Sequence, residues 1–188
     1  MLKYKWDSLT IRGKQDFDRL KNIFETIQPS VGAIDTETDG LHIINCKPFV
    51  VQFGFLDEKN IRGFTFAVDL ENNPTIAKEV LKYWTEKAYT FKHYMGHNIK
   101  FDLHMMANIG FEYLGDNLTD TTFYIRFGHD SLHPNEGGPL LGLKEYASKY
   151  IDHNAKYHEK VLNREKAIIT KNYNQLLKTM LNKSNAKL

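Results

Sequence analysis

The run Ser30-Val-Gly-Ala-Ile-Asp-Thr-Glu37 enters apolar and leaves acidic, with Thr38-Asp-Gly40 behind it as a turn. It reads as a β-strand whose acidic exit marks a site. Downstream, FVVQFGFL (49–56) and IRGFTFAVD (61–69) are β-rich runs joined by Asp57-Glu-Lys-Asn60, which predicts an antiparallel hairpin. Asn73-Pro74-Thr75 opens a stretch to about residue 87 in which Ile76, Val80, Leu81 and Trp84 recur at helical spacing. FKHYMG (91–96) reads as a fourth strand, and Asn98 to Ile109 as a helix closed by Gly110 in a C-terminal cap position. The order is βββαβα. Further helices are predicted over Asp120–Phe127 and Leu143–Ile151, separated by a turn-rich loop around His133–Pro139. Three antiparallel strands first, then alternating helices and strands, imply an α/β architecture with a mixed sheet flanked by helices.

The chain of 188 residues, 41% hydrophobic and 13% aromatic, is long enough for one compact domain with an appendage. No apolar run approaches the roughly 18 residues of a membrane span, so no membrane partner is expected. The N-terminus lacks the apolar core of an export signal, and Cys46 is the sole cysteine, which excludes an intramolecular disulfide. A reducing, cytoplasmic setting is expected. Charge divides the chain: residues 1–155 carry 17 basic and 21 acidic side chains, net −4, whereas 156–188 carry 8 and 2, net +6. We therefore expect an α/β domain over 1–154 and a basic helical segment over 155–188. An acidic body suits a protein that gathers carboxylates around cations which then meet phosphate. The basic tail (Lys156, Lys160, Arg164, Lys166, Lys171, Lys178) could track a phosphate backbone or solvate a helix.

Asp35 and Glu37 lie two apart on a strand, so their side chains leave one face while Thr36 points the other way. Carboxylates this close repel unless a cation neutralises them, which points to a divalent metal; an acidic turn that caps a neighbouring helix is the alternative. In Gly96-His-Asn-Ile-Lys-Phe-Asp102, Asn98 and Asp102 stand four apart at a helix start and would share a face. Asp102 as an exposed helix charge, and Asn98 as an N-cap, are the alternatives there.

Asp35-Thr-Glu-Thr-Asp-Gly-Leu41 resembles the first exonuclease motif of family A DNA polymerases. Gly96-His-Asn-Ile-Lys-Phe-Asp102 resembles the second, Asn-x-x-x-aromatic-Asp, and Asp120-Thr121 resembles a further short element of that family. The likeness spans residues 30 to 150. It implies a ribonuclease H-like fold and a 3′→5′ exonuclease of the DEDD type, with four carboxylates and two Mg²⁺ or Mn²⁺ ions about 4 Å apart. By that likeness Asp35, Glu37 and Asp102 are catalytic metal ligands. Asp35 bridges both ions, Glu37 also orients the attacking water, and Thr38, Leu41, Asn98 and Phe101 contact the terminal nucleotide. Leu41 alternatively is a core residue flanking the turn. The implied substrate is a single-stranded DNA 3′ end, the product a nucleoside 5′-monophosphate, and the implied partner a polymerase domain in the same full-length chain, of a phage type.

The family's third motif, Tyr-x-x-x-Asp or His-x-x-x-x-Asp, is not found beyond the second: His97 to Asp102 has the histidine spacing only by falling inside that second motif. After Asp152 only Glu159 and Glu165 remain as acids. An N-terminal fragment of a longer polymerase, folded but a poor nuclease, is therefore expected. A stand-alone RNA nuclease, or an exonuclease-like module that only holds nucleic acid, are the other readings. His129, His133, His153 and His158 lack the tight helical pairing of a transition-metal site.

Overall fold

The computed structural model describes residues 5–127 and 142–150, with isolated positions between 154 and 175. The chain divides into two compact units, Met1–Tyr124 and Ile125–Leu188.

In the first unit the elements are β1 (Lys5–Ile11), α1 (Lys14–Ile27), β2 (Val31–Thr38), β3 (Pro48–Asp57), β4 (Arg62–Asp69), α2 (Pro74–Ala88), β5 (His93–Gly96), α3 (Ile99–Asn108) and β6 (Leu118–Asp120). The helix α4 (Thr121–Phe127) runs across the division. The sheet has the order β1-β4-β3-β2-β5-β6. Strands β2, β3 and β4 are antiparallel neighbours, whereas β5 and β6 extend the sheet in parallel from β2, and β1 lies parallel to β4 at the far edge. This is the expected mixed α/β sheet.

The three antiparallel strands do not come first, however: β1 and α1 precede them. In α1, Phe17, Leu20 and Phe24 fall on one stripe and are buried. The hairpin connection has the expected four residues but lies one position later, over 58–61, because Asp57 still belongs to β3 and Ile61, with a positive φ of 52°, belongs to the turn. Asp57 fixes that turn by accepting hydrogen bonds from the Asn60 backbone (3.2 Å) and side-chain amide (2.8 Å).

One core holds the sheet to its helices. Ile34, Val51, Phe53, Phe55, Phe64, Phe66 and Val68 on the strands are buried with Phe24, Trp84, Ile99 and Met106 of the helices. The alternation of strands then leaves Ala33, Asp35, Glu37, Gln52 and Thr65 exposed on the opposite face. Trp84 ties α2 to two strands: its ring stacks on Phe53 with centroids 4.4 Å apart, and its Nε1–H donates to the Tyr94 hydroxyl at 3.0 Å. Gly32 makes room on β2, since a Cβ there would come within 2.1 Å of the Phe91 ring. Helix α3 ends in a Schellman cap. Gly110, at φ 87°, donates its N–H to Ala107 O (3.0 Å), and Phe111 N–H reaches Met106 O (3.0 Å).

In the second unit α5 covers Leu143–Tyr150. The loop around His133–Pro139 and residues 151–153 lie outside the described residues. The compositional division at residue 155 falls where only single positions are described; those from 157 to 175 are helical. No described helix is long and apolar enough to cross a membrane.

Candidate active site

Strand β2 carries Asp35 and Glu37 to the end of the sheet from which β5 and β6 also emerge. Asp35 is paired with Gln52 and Glu37 with Val50 across β3, and the register shifts between Glu37 and Thr38. Irregularities of this kind re-aim side chains where a sheet meets a site. Asp35 and Glu37 are both exposed and Thr36 is half-buried, which is the alternation the sequence predicts.

Asp102 reaches the Thr36 side of the same strand end from the first turn of α3. Its Oδ1 accepts the Thr36 backbone N–H at 2.8 Å and the Thr36 hydroxyl at 2.6 Å. The side chain is only 4% exposed, so it is not an exposed helix charge. Burial is the main cause that lifts its carboxyl to about 6 from an ordinary 3.8; the nearby Asp35 charge adds to this, while the Thr36 hydrogen bonds oppose it. Asp102 and Asp35 therefore sense each other's charge. Among the described residues, no group of three or more His, Cys, Asp or Glu side chains forms a ready metal-binding cluster. Asp102 bonds to Thr36, which points toward the helices, whereas Asp35 and Glu37 lie on the other side of the strand. The donor chemistry nevertheless fits a hard cation: the oxygens are carboxylate, and the charge of Asp102, opposed by burial and by Asp35, is relieved by a nearby positive charge.

The start of α3 departs from expectation. Asn98 occupies the N-cap position with φ 59° and ψ 45°, and its side chain makes no capping hydrogen bond. It is outside the helix, so the four-residue spacing to Asp102 does not by itself place both on one helical face. The turn is held by Asp120-Thr121 instead. Asp120 Oδ1 accepts the Asn98 N–H (3.0 Å), the Thr122 N–H (2.9 Å) and the Thr122 hydroxyl (2.7 Å). The Thr121 hydroxyl donates to Gly96 O (3.3 Å) and shares a hydrogen bond with His97 Nδ1 (3.0 Å). Partial burial of Asp120 works against its charge, but these hydrogen bonds and the nearby His97 hold its carboxyl below the usual range. An ionised Asp120 thus joins β6, α4 and the turn before α3. The hydrogen-bonding roles of Thr36 and Asp120 have no local signal in the sequence; Asp120 stands out there only through the family likeness.

Leu41 is 87% exposed and is no core residue. Thr38 donates its hydroxyl to Gly40 O at 2.6 Å, bending the chain into the loop that carries Leu41. Phe101 sits half-buried on α3, one residue before Asp102. His129, His133, His153 and His158 lie outside the described residues, as do Glu159 and Glu165.

A mixed sheet with carboxylates at the end of its central strand and a third on the adjoining helix defines an α/β domain consistent with the ribonuclease H-like exonuclease fold. The chain belongs to the 3′-5′ exonuclease family, whose model matches residues 11–182. No curated protein matches it. Among solved structures it is similar to Escherichia coli RNase D, an exoribonuclease involved in structured RNA processing, with TM-score 0.51 and 15% identity over 77% of this chain and 33% of that one. It is also similar to Brucella melitensis NrnC with bound Mg²⁺, with TM-score 0.45 and 20% identity over 80% of this chain. The chain spans 62% of the NrnC chain. A third match is the Aedes aegypti Nibbler EXO domain, with TM-score 0.43 and 9% identity over 64% of this chain and 55% of that one.

Proposed function

We propose that this chain removes nucleotides from the 3′ end of single-stranded DNA as the proofreading part of a DNA polymerase, with Asp35, Glu37 and Asp102 holding divalent cations. One observation carries the catalytic part: buried Asp102 is hydrogen-bonded to Thr36, the residue between Asp35 and Glu37, and its charge is opposed by burial and by the charge of Asp35, a cost that a cation at this strand end would offset. The cation supplies Lewis acidity, lowering the pKa of water and steadying negative charge on the phosphate and the leaving oxygen. Thr36 holds Asp102 toward the strand end by its two hydrogen bonds. Exposed Glu37 accepts a hydrogen bond from the attacking water and aligns it. The water oxygen bonds to phosphorus and the bond to the upstream 3′ oxygen breaks. That oxygen leaves as a 3′-hydroxyl after gaining a proton, and a nucleoside 5′-monophosphate is released.

The DNA and polymerase parts of this reading rest on the two motifs, Asp35–Leu41 and Gly96–Asp102. The second reading is an RNA 3′ end, because the RNase D structure is that of an exoribonuclease. Hydrolysis rates on matched single-stranded DNA and RNA oligonucleotides with Mn²⁺ separate the two. Faster loss of DNA is the expected result, faster loss of RNA moves the assignment to the second reading, and loss of neither contradicts both.

A further inference from the structure

The nine residues between β2 and β3 form a loop whose crest is apolar and exposed: Leu41 at 87%, Ile44 at 74% and Ile43 at 44%. Folding gives no reason to place three large aliphatic side chains in water within four positions. The loop is nonetheless tightly held. Asp39 closes its neck, accepting the Lys47 N–H on Oδ1 at 2.9 Å and donating its own N–H to Lys47 O at 3.3 Å. The Cys46 N–H reaches His42 O at 2.9 Å inside it. From the last residue of α3, Asn108 donates both hydrogens of its side-chain amide into the loop, one to Ile43 O and one to Cys46 O, each at 2.8 Å. Asn108 thus ties the crest to the helix whose first turn carries Asp102.

We propose that Asn108 is a positioning residue that holds this loop so that Leu41 and Ile44 receive the unstacked terminal bases of a single-stranded 3′ end. The inference rests on the function proposed above and adds Asn108 and Ile44 to it. Strand β2 passes from Asp35 and Glu37 directly into the loop, so a nucleotide whose phosphate meets the carboxylates has its base within the loop's reach. Aliphatic wedges that enter between base steps are a known mode of contact with nucleic acid and are indifferent to base identity. A crest free to sway would lose ordering entropy on each binding event, whereas one clamped beforehand does not.

The test uses a fluorescent single-stranded hexanucleotide with a free 3′-hydroxyl, whose binding is followed by anisotropy with Ca²⁺ present to hold the phosphate without turnover. Ile44→Ser, at an exposed position, leaves folding intact. Asn108→Ala removes both donors, and its melting curve is recorded beside the parent's. Each variant should weaken binding roughly tenfold, and the double variant little more than either alone, since both act through one loop. Mn²⁺ affinity should not change, because neither residue is among the carboxylates. Undiminished hexanucleotide binding by Ile44→Ser and Asn108→Ala overturns the inference while leaving the proposed function standing. A parent that binds no single strand at all overturns the function and this inference together.

Discussion

Replacing Asp102 with Asn should stabilise the metal-free protein even as it disables the site. In the fold the Asp102 carboxyl titrates at about 6 rather than 3.8. Between these values the folded state binds more protons than the unfolded one, so stability falls as pH rises through that window and stays lower above it. At roughly 1.4 kcal/mol per pKa unit the ionised carboxylate costs the fold on the order of 3 kcal/mol at pH 8. Asn has the same shape and is uncharged, and its Oδ1 still accepts both hydrogen bonds of Thr36. Its amide hydrogens lose some of the gain, leaving about 1–2 kcal/mol, or roughly 3–10 °C in Tm for a domain of this size. Thermal unfolding in EDTA should therefore show the variant above the parent at pH 8, with the gap closing toward pH 4, where Asp102 is protonated. Added Mn²⁺ should raise the parent's Tm and not the variant's. A variant less stable than the parent at pH 8 in EDTA, or a gap of the same size at pH 4, would refute the reasoning.

The Asp120 clamp predicts that Asp120→Ala loses about 1–3 kcal/mol, through the cap of α4 and the stranded Asn98 N–H, as read by chemical denaturation, whereas Asp120→Asn retains most of it. Gly110→Ala should cost about 1–2 kcal/mol from its positive φ alone, because the space around a Cβ there is open. At Gly32 the conformation is ordinary and the space is not; Gly32→Ala should cost about 1–3 kcal/mol by pushing on Phe91, with Phe91→Leu recovering part of it in the same melting assay.

The strands β2, β3 and β4 and the helices α2 and α3 were legible because their periods and turn residues agree locally. The first strand was not. Its inward positions are Asp7, Leu9 and Ile11 and its outward ones Trp6, Ser8 and Thr10, so polarity does not alternate cleanly along it. Asp7 is tolerated on the inner side because Arg62 of β4 pairs with it at 2.5 Å, a partner 55 residues away. The stripe Phe17, Leu20, Phe24 of α1 is a clear helical signal that an export-signal reading of the N-terminus passes over. Strand β6, three residues long, is too short for any period to show. At the proposed site, residue types and order single out Asp35, Glu37 and Asp102 as candidates, and strand alternation predicts the exposed facing of the first two. The burial of Asp102 could not be read, because it depends on two donors from Thr36, 66 residues earlier. Nor does any local pattern mark Asn98 for a left-handed backbone held by Asp120.

Incubation of the chain with a 5′-labelled single-stranded DNA and Mn²⁺, resolved nucleotide by nucleotide, tests most directly whether these carboxylates make a 3′→5′ exonuclease. The account predicts a slow ladder that retreats from the 3′ end, nucleoside 5′-monophosphates as products, and no ladder in EDTA or with Asp35→Ala, which still binds the strand. A ladder that persists with Asp35→Ala, one that retreats from the 5′ end, or an intact strand after hours with the parent would contradict it.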